Sequence, residues 1–212
     1  LVSEHNEVKF LLNAFCQDEN TTIDLTGINV IENKAFNHCK AKEIINADSV
    51  DNIISAAFDN SFFYNKKVLK NQCVVIGHYL LKADETAYRL EIPSNVETTY
   101  VNVHLNKVKE VVVHNLKILE CILDLPQKLI IAKDTPFFSK ISKLKMKGLK
   151  YIDVEDGNPF YSSENGVLFT KNKKYLLKFP PGRTGLYKIP EGVNTIDENS
   201  FAFSNIEEVI MP

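Results

Sequence analysis

The stretch Ile189-Pro-Glu-Gly-Val193-Asn-Thr-Ile196-Asp-Glu-Asn-Ser200-Phe201 limits the fold of this chain more than any other feature, because its spacing returns along the sequence. The pattern is an Ile-Pro step, an apolar residue three places after the Pro, a second apolar residue three further on, then a small residue and an aromatic. With Val193, Ile196, Ser200 and Phe201 as the template, the same offsets pick out Ile28, Ile31, Ala35, Phe36 and Val50, Ile53, Ala57, Phe58. A fourth set, Leu129, Ala132, Pro136 and Phe137, has the lead-in Leu125-Pro126 to match Ile189-Pro190. A fifth, Val96, Thr99 and Val103, follows Ile92-Pro93 but carries His104 where the aromatic belongs. Self-similarity of this kind marks a stack of supersecondary units, none of which can bury its apolar face alone.

The lead residues Ile28, Val50, Val96, Leu129 and Val193 lie 22, 46, 33 and 64 residues apart, which predicts a simple unit of 22 residues with expanded units between. The expansions carry echoes of their own. Val108, Val111 and Val113 are matched 33 residues later by Ile141, Leu144 and Met146, and Tyr79-Leu-Leu-Lys82 returns as Tyr175-Leu-Leu-Lys178. The units also hold segments of the form L-x-x-L-x-L, clearest at Ile206–Met211 and Leu149–Val154. Successive strand side chains alternate faces, so such a segment sends one face to a core, and stacked copies become a parallel sheet. The Ala-Phe slot then reads as a turn or one helical turn whose aromatic plugs the gap between rungs. The expected fold is a mainly β solenoid of stacked parallel strands with short helices. Ile28, Ile31, Phe36, Val50, Ile53, Phe58, Val96, Leu129, Phe137, Leu144, Met146, Ile152, Val154, Val193, Ile196, Phe201 and Val209 should face inward.

These residues resemble the BspA-like leucine-rich repeats of bacterial surface proteins and of some protists, whose units look like I-P-x-x-V-x-x-I-x-x-x-A-F-x-x-C. Cys39, three places after Phe36, supplies the cysteine of that pattern, and Leu149–Phe169 looks like the hairpin that interrupts such repeats. The likeness is strong over Thr22–Phe58 and Leu149–Pro212 and partial over Tyr79–Met146. It implies a leucine-rich-repeat solenoid used for recognition or adhesion, at the cell surface or outside the cell. The units at Val96 and Leu129 lack the Ala or the Phe, so irregular rungs are expected there.

With 212 residues and 44% apolar content the chain can bury a continuous core, and its repetition predicts one solenoid domain over residues 21–212. The net charge of −2 exerts no global pull towards nucleic acid, and no run approaches the roughly 18 apolar residues that a membrane span needs. A monomer is expected. The beginning at Leu1, without Met, and the end at Met211-Pro212 inside a strand pattern point to a trimmed or processed product. Before the repeats, Val8, Leu11, Leu12 and Phe15 sit at i, i+3, i+4 and i+7, which predicts a capping segment over residues 1–20 whose amphipathic helix, residues 4–17 with Ser3 as N-cap, closes the end of the stack. Cys73–Ile76 and Tyr79–Leu81 read as a hairpin around Gly77-His78. Cys16, Cys39, Cys73 and Cys121 have no zinc-ligand spacing and are expected as reduced core residues.

Catalytic chemistry finds little support. His5, His38, His78, His104 and His114 are scattered without metal-ligand spacing, and no phosphate-cradling loop or nucleophile elbow is present. No metal, cofactor or catalytic residue is therefore expected. The first function class is a non-catalytic module binding another protein, a surface glycan or another polyanion. A structural spacer is the alternative, and an enzyme would have to use the irregular middle, residues 79–114. The most explicit candidate site is Lys143, Lys145, Lys147 and Lys150. If Leu144 and Met146 face the core, strand alternation throws the first three lysines outward together, and Asp134 is the only acidic residue between Lys128 and Lys150. Such a strip suits acidic glycans, teichoic-type polymers or an acidic protein surface.

Overall fold

The L-x-x-L-x-L segments stack in parallel. In the computed structural model, which describes residues 1–212, Arg89–Ile92, Glu110–Val113, Lys128–Ile131 and Tyr151–Val154 form a four-stranded parallel sheet. Its register places Leu90, Val111, Leu129 and Ile152 in one inward row, all fully buried, and Ile92, Val113, Ile131 and Val154 in the next. Paired strands start 21, 18 and 23 residues apart, the length of one turn of the solenoid. Thr22–Asp24 with Glu43–Ile45, and Thr184–Lys188 with Asn205–Ile210, repeat the arrangement nearer the two ends. A second set of strands pairs over two residues at a time and carries the second apolar slot of the template. Val8–Leu11, Val30–Ile31 and Asn52–Ile53 pair in parallel, as do Tyr79–Ala83 with Thr98–Thr99 and Tyr175–Lys178 with Thr195–Ile196.

Turns at the Ala-Phe slot join the two sets of strands, and there the small residue and the aromatic have separate tasks. The small residue lets neighbouring turns approach until their backbones bond: Ala14 N donates to Ala35 O at 2.7 Å and Phe36 N to Ala57 O at 2.8 Å. The aromatic fills the space between turns, with the buried Phe36 and Phe58 rings stacked 4.9 Å apart. Three residues on, the cysteine position holds Cys39 in one turn and Ser61 in the next, both buried. Ser61 Oγ donates to Phe58 O at 2.7 Å, and Ser204 Oγ makes the equivalent bond to Phe201 O at 2.6 Å. A small side chain fits this position, and a hydroxyl there adds a second bond to a carbonyl that already accepts the backbone N–H of the same residue, Ser61 N to Phe58 O at 3.0 Å and Ser204 N to Phe201 O at 3.2 Å.

Two antiparallel hairpins divide the interior. Cys73–Ile76 pairs with Tyr79–Ala83 around Gly77-His78, and Tyr161–Glu164 pairs with Val167–Thr170, which pairs in turn with Tyr175–Lys178. Adjacent residues of these strands belong to different apolar clusters. Leu81 joins the cluster built from residues 11–81, whereas Leu80 joins the one built from residues 80–177. Likewise Leu177 faces the middle cluster and Leu176 faces the one formed by Val167, Phe169, Phe179, Tyr187 and Ile189. A strand buried on both faces reads as a continuous apolar run, which is why Tyr-Leu-Leu-Lys occurs at both places. Each run ends in a lysine drawn inward. Lys82 donates to Tyr64 O with its ammonium 4.0 Å from the Tyr64 ring centre, and Lys178, fully buried, donates to Ser142 O at 2.7 Å and Asn199 O at 3.3 Å.

Four expectations are corrected. Residues 1–20 hold no helix; Val2–His5 and Val8–Leu11 form an antiparallel hairpin whose two-residue turn, Asn6 and Glu7, has φ of 49° and 66°, as a type I′ turn requires. The edge of Val30–Ile31 decides the matter, because pairing Phe10 with Val30 and Leu11 with Ile31 satisfies backbone groups that a helix would leave open. Phe15, assigned to the helix's buried face, is 87% exposed. The Leu129 copy was set in the wrong slot. Leu129 pairs with Val111 and Ile152 in the long-strand sheet, and Phe137, which should then have been a plug, is 56% exposed. The expanded units dissolve for the same reason, since the spacings that look long contain complete turns of 18–23 residues whose grammar has drifted. Finally, the 33-residue echo is no structural equivalence. Leu144 and Met146 are buried, but they follow a single 3-10 turn, Ile141–Lys143, and Met146 has φ 44°, outside any strand.

The other expected core residues follow their position in the stack. Ile28, Ile31, Phe36, Val50, Ile53, Phe58, Val96, Leu129, Leu144, Met146 and Ile152 are buried. Val154, Val193, Phe201 and Val209 are half-buried and Ile196 is exposed.

Candidate functional site

The outer face of the central sheet is closed by its own charges. Arg89 reaches Glu110 at 3.8 Å and Glu155 at 3.3 Å, while Lys128 reaches Glu110 at 3.3 Å and Asp153 at 3.0 Å. These side chains lie on the face that also carries Val112 and Ile130, which with Ala132 form a small apolar cluster that is buried although it points away from the main core. Exposed ion pairs are individually weak, but a network of this kind leaves no unpaired charge to offer a ligand.

The histidines tie neighbouring turns. His104 Nδ1 lies 2.8 Å from Asp124 Oδ2, and His114 sits between Asp134 at 2.6 Å and Glu91 at 2.8 Å, one carboxylate on each ring nitrogen. His78 stacks on Tyr79 in the hairpin turn, and no three His, Cys, Asp or Glu side chains come together as a metal site. With both nitrogens held by carboxylates, the His114 ring has none free to take a proton from a substrate. Its burial opposes the charged form, but the hydrogen bonds from Glu91 and Asp134 outweigh this and raise its pKa above the ordinary value. The linkage follows. A raised folded pKa gives stability that is present in full below the unfolded value near 6.5 and is lost as pH rises through the folded value. Chemical denaturation of the parent and His114→Gln between pH 6 and 9 should show that the parent's advantage shrinks with rising pH; an advantage independent of pH would exclude the imidazolium tie.

Lys143, Lys145, Lys147 and Lys150 are exposed and none makes an ion pair, in contrast to Lys128. The alternation of exposed lysines with buried Leu144 and Met146 is present, but the backbone that produces it is irregular: the 3-10 turn Ile141–Lys143, then a run through Met146 and Gly148, both with positive φ, before the strand begins at Tyr151. The lysines therefore stand on a loop at the sheet margin and not on a strand face. Lys145 and Lys147 also wall a groove of about 530 Å³ that they share with Gly148, Pro181, Gly182, Phe203 and Asn205. The groove follows from a close backbone crossing, where Gly182 N donates to Leu149 O at 2.7 Å. A Cβ on Gly182 would lie 2.7 Å from Gly148 O, so only glycine lets the Pro180-Pro181 turn meet the lysine loop. Position on the loop explains why Lys143 and Lys150 are left outside the groove. Sequence reasoning missed Phe203 and Asn205, which lie some sixty residues away; Phe203 is exposed at φ 66°, and no motif marks it.

The family that the sequence matches agrees with this architecture. A family model described as BspA type leucine rich repeat region matches residues 10–119 and 185–212 in six copies. No curated protein sequence matches the chain. Among solved structures, the pneumococcal vaccine antigen PcpA is 22% identical with a TM-score of 0.43, covering 90% of this chain and 44% of its own. A leucine-rich repeat protein from Eubacterium ventriosum is 19% identical with a TM-score of 0.41, covering 89% of this chain and 47% of its own. The chain thus spans less than half the length of either solved protein. No helix is long and apolar enough to cross a membrane. The family match takes in most of the turns described above, including their Ala-Phe plugs, and the chain belongs to the BspA type leucine rich repeat family.

Proposed function

We propose that this chain is a non-catalytic recognition module that acts at the cell surface and binds an acidic surface polymer through Lys143, Lys145, Lys147 and Lys150. The observation that carries the reading is the contrast between the two sets of cations. Arg89 and Lys128 on the sheet are fully engaged by Glu110, Asp153 and Glu155, whereas the four loop lysines make no ion pair. With a total charge of only −2, attraction to a polyanion has to be local, and this loop gathers four unpaired lysines within eight residues. Membership of a leucine-rich-repeat family supports an interaction role, since a solenoid presents a long surface built from variable positions. His104 and His114 support it too, since carboxylates of neighbouring turns hold their rings.

The test is capture of immobilised polyanions by the parent and by the triple variant Lys143→Glu, Lys145→Glu, Lys147→Glu. Capture by the parent should weaken as salt rises through the range in which the Debye length falls to about 8 Å, and the variant should lose it. Equal capture by both proteins, or none by either, would end the reading. An acidic protein captured in preference to every glycan would replace the polymer with a protein partner.

A further inference from the structure

The lysine loop offers more than a patch of charge, because two of its four members are combined with features that a diffuse electrostatic surface does not need. Lys145 and Lys147 stand on one wall of the 530 Å³ groove, whose lining includes no acidic residue. The lining also includes Phe203, an aromatic side chain left 61% exposed, and Asn205. Behind Phe203 lies Lys178, its ammonium 5.9 Å from the ring centre, wholly buried and held by the carbonyl oxygens of Ser142 and Asn199 without a carboxylate partner. A buried cation with no counter-ion has a field screened far less than that of a surface lysine. The volume falls within the range of small-ligand sites.

We propose that this groove is a binding site for an acidic oligosaccharide, with a sulfate or carboxylate group between Lys145 and Lys147, a sugar ring laid on the face of Phe203, and a hydroxyl bonded to the Asn205 amide. The chemistry chooses the ligand. Lysines alone accept any polyanion, but an exposed ring flanked by an amide matches a pyranose, which has one apolar C–H face and a rim of hydroxyls. A flexible acidic peptide would use the lysines and ignore the ring. This inference rests on the polyanion reading above and adds to it the ligand class and the groove.

The experiment is isothermal titration of the full chain with a size-defined sulfated hexasaccharide and, separately, with poly-glutamate. Three variants are compared with the parent: Lys145→Gln with Lys147→Gln; Lys143→Gln with Lys150→Gln, which lie outside the groove; and Phe203→Asn. The last removes the ring but keeps a residue type at ease with φ 66°. Loss of the groove lysines should weaken the saccharide about tenfold or more, since charge-assisted hydrogen bonds are the strong ones, and loss of the outer pair about twofold or less. Phe203→Asn should weaken the saccharide and leave poly-glutamate unchanged. If Phe203→Asn has no effect on the saccharide, or the outer pair matters as much as the groove pair, the groove is overturned while the surface-charge reading stands. If the parent binds neither probe at low salt, both fall.

Discussion

Replacing Phe58 by alanine is expected to cost about 3–5 kcal/mol of stability. Phe58 is fully buried and meets three other rings: Phe36 stacked at 4.9 Å, Tyr100 edge-on at 5.4 Å and Phe63 at 6.4 Å. The cavity left by its removal is walled by backbone that cannot close in. Phe36 N is bonded to Ala57 O on one side and Phe62 N to Cys39 O on the other, so neighbouring turns are already at their closest approach. Phe36→Ala should behave alike. Phe201→Ala occupies the same slot in the pattern but is only half-buried, and about half the loss is expected there, in keeping with the smaller apolar area removed from water. Urea denaturation of the three variants gives the comparison. A loss below about 1 kcal/mol at Phe58, or a larger loss at Phe201 than at Phe58, would contradict the inter-turn plug.

The second large effect belongs to Lys178 and shows in the dependence on pH. Burial alone pushes its pKa from 10.5 down to about 8, and no carboxylate offsets that cost. The sign is set by which state holds more protons. Between pH 8 and 10.5 the unfolded chain keeps the proton on Lys178 that the folded chain has lost, so stability attributable to this residue rises with pH across that window. A shift of this size corresponds to about 3 kcal/mol over the whole window. Other buried groups oppose it. Burial raises Cys73 and Tyr187 to about 12, so at alkaline pH the unfolded state loses their protons first and stability falls. The measurement is therefore a difference. Unfolding free energies of the parent and Lys178→Met should diverge from pH 8 to 10.5, with the parent gaining on the variant as pH rises. Parallel curves would mean that burial does not depress the Lys178 pKa. The carbonyls of Ser142 and Asn199 lose their donor in the variant, which lowers its curve as a whole without altering the divergence.

The solenoid was legible wherever both halves of the repeat grammar survive. At Ile28–Phe36 and Val50–Phe58 the Ala sets the turn spacing and the Phe fills it, so the pattern states both the backbone geometry and the packing. At Leu129 it misleads, because each turn contains two apolar segments of similar spacing and a template of four residues can settle on either; only strand pairing with Val111 and Ile152 tells them apart. Val8, Leu11, Leu12 and Phe15 failed for another reason. Helical periodicity is a local property, and the competing demand, an open edge at Val30–Ile31, comes from residues twenty places later. The candidate site divides in the same way. Exposure of Lys143, Lys145 and Lys147 follows from alternation with Leu144 and Met146, which a loop can keep as well as a strand. Phe203, Asn205 and the Pro180-Pro181-Gly182 turn reach the lysines only through the return of the chain, and no local pattern in the sequence announces a meeting at that distance.

The hairpins that give one face to each neighbouring cluster also bear on how such a chain can change over time. Because Leu80 and Leu81, or Leu176 and Leu177, serve different sides of a single strand, the stretch from one Tyr-Leu-Leu-Lys to the next behaves as an interchangeable cassette, bounded at both ends by the same kind of surface. A copy of that stretch inserted at either boundary would meet a neighbour already shaped to receive it, so growth or loss by whole cassettes disturbs packing less than growth by single turns. Damage should be contained in the same units. A substitution that loosens one cassette leaves the far face of its boundary strand packed, and amide exchange should then report protection lost in a block of contiguous turns while the next block stays closed.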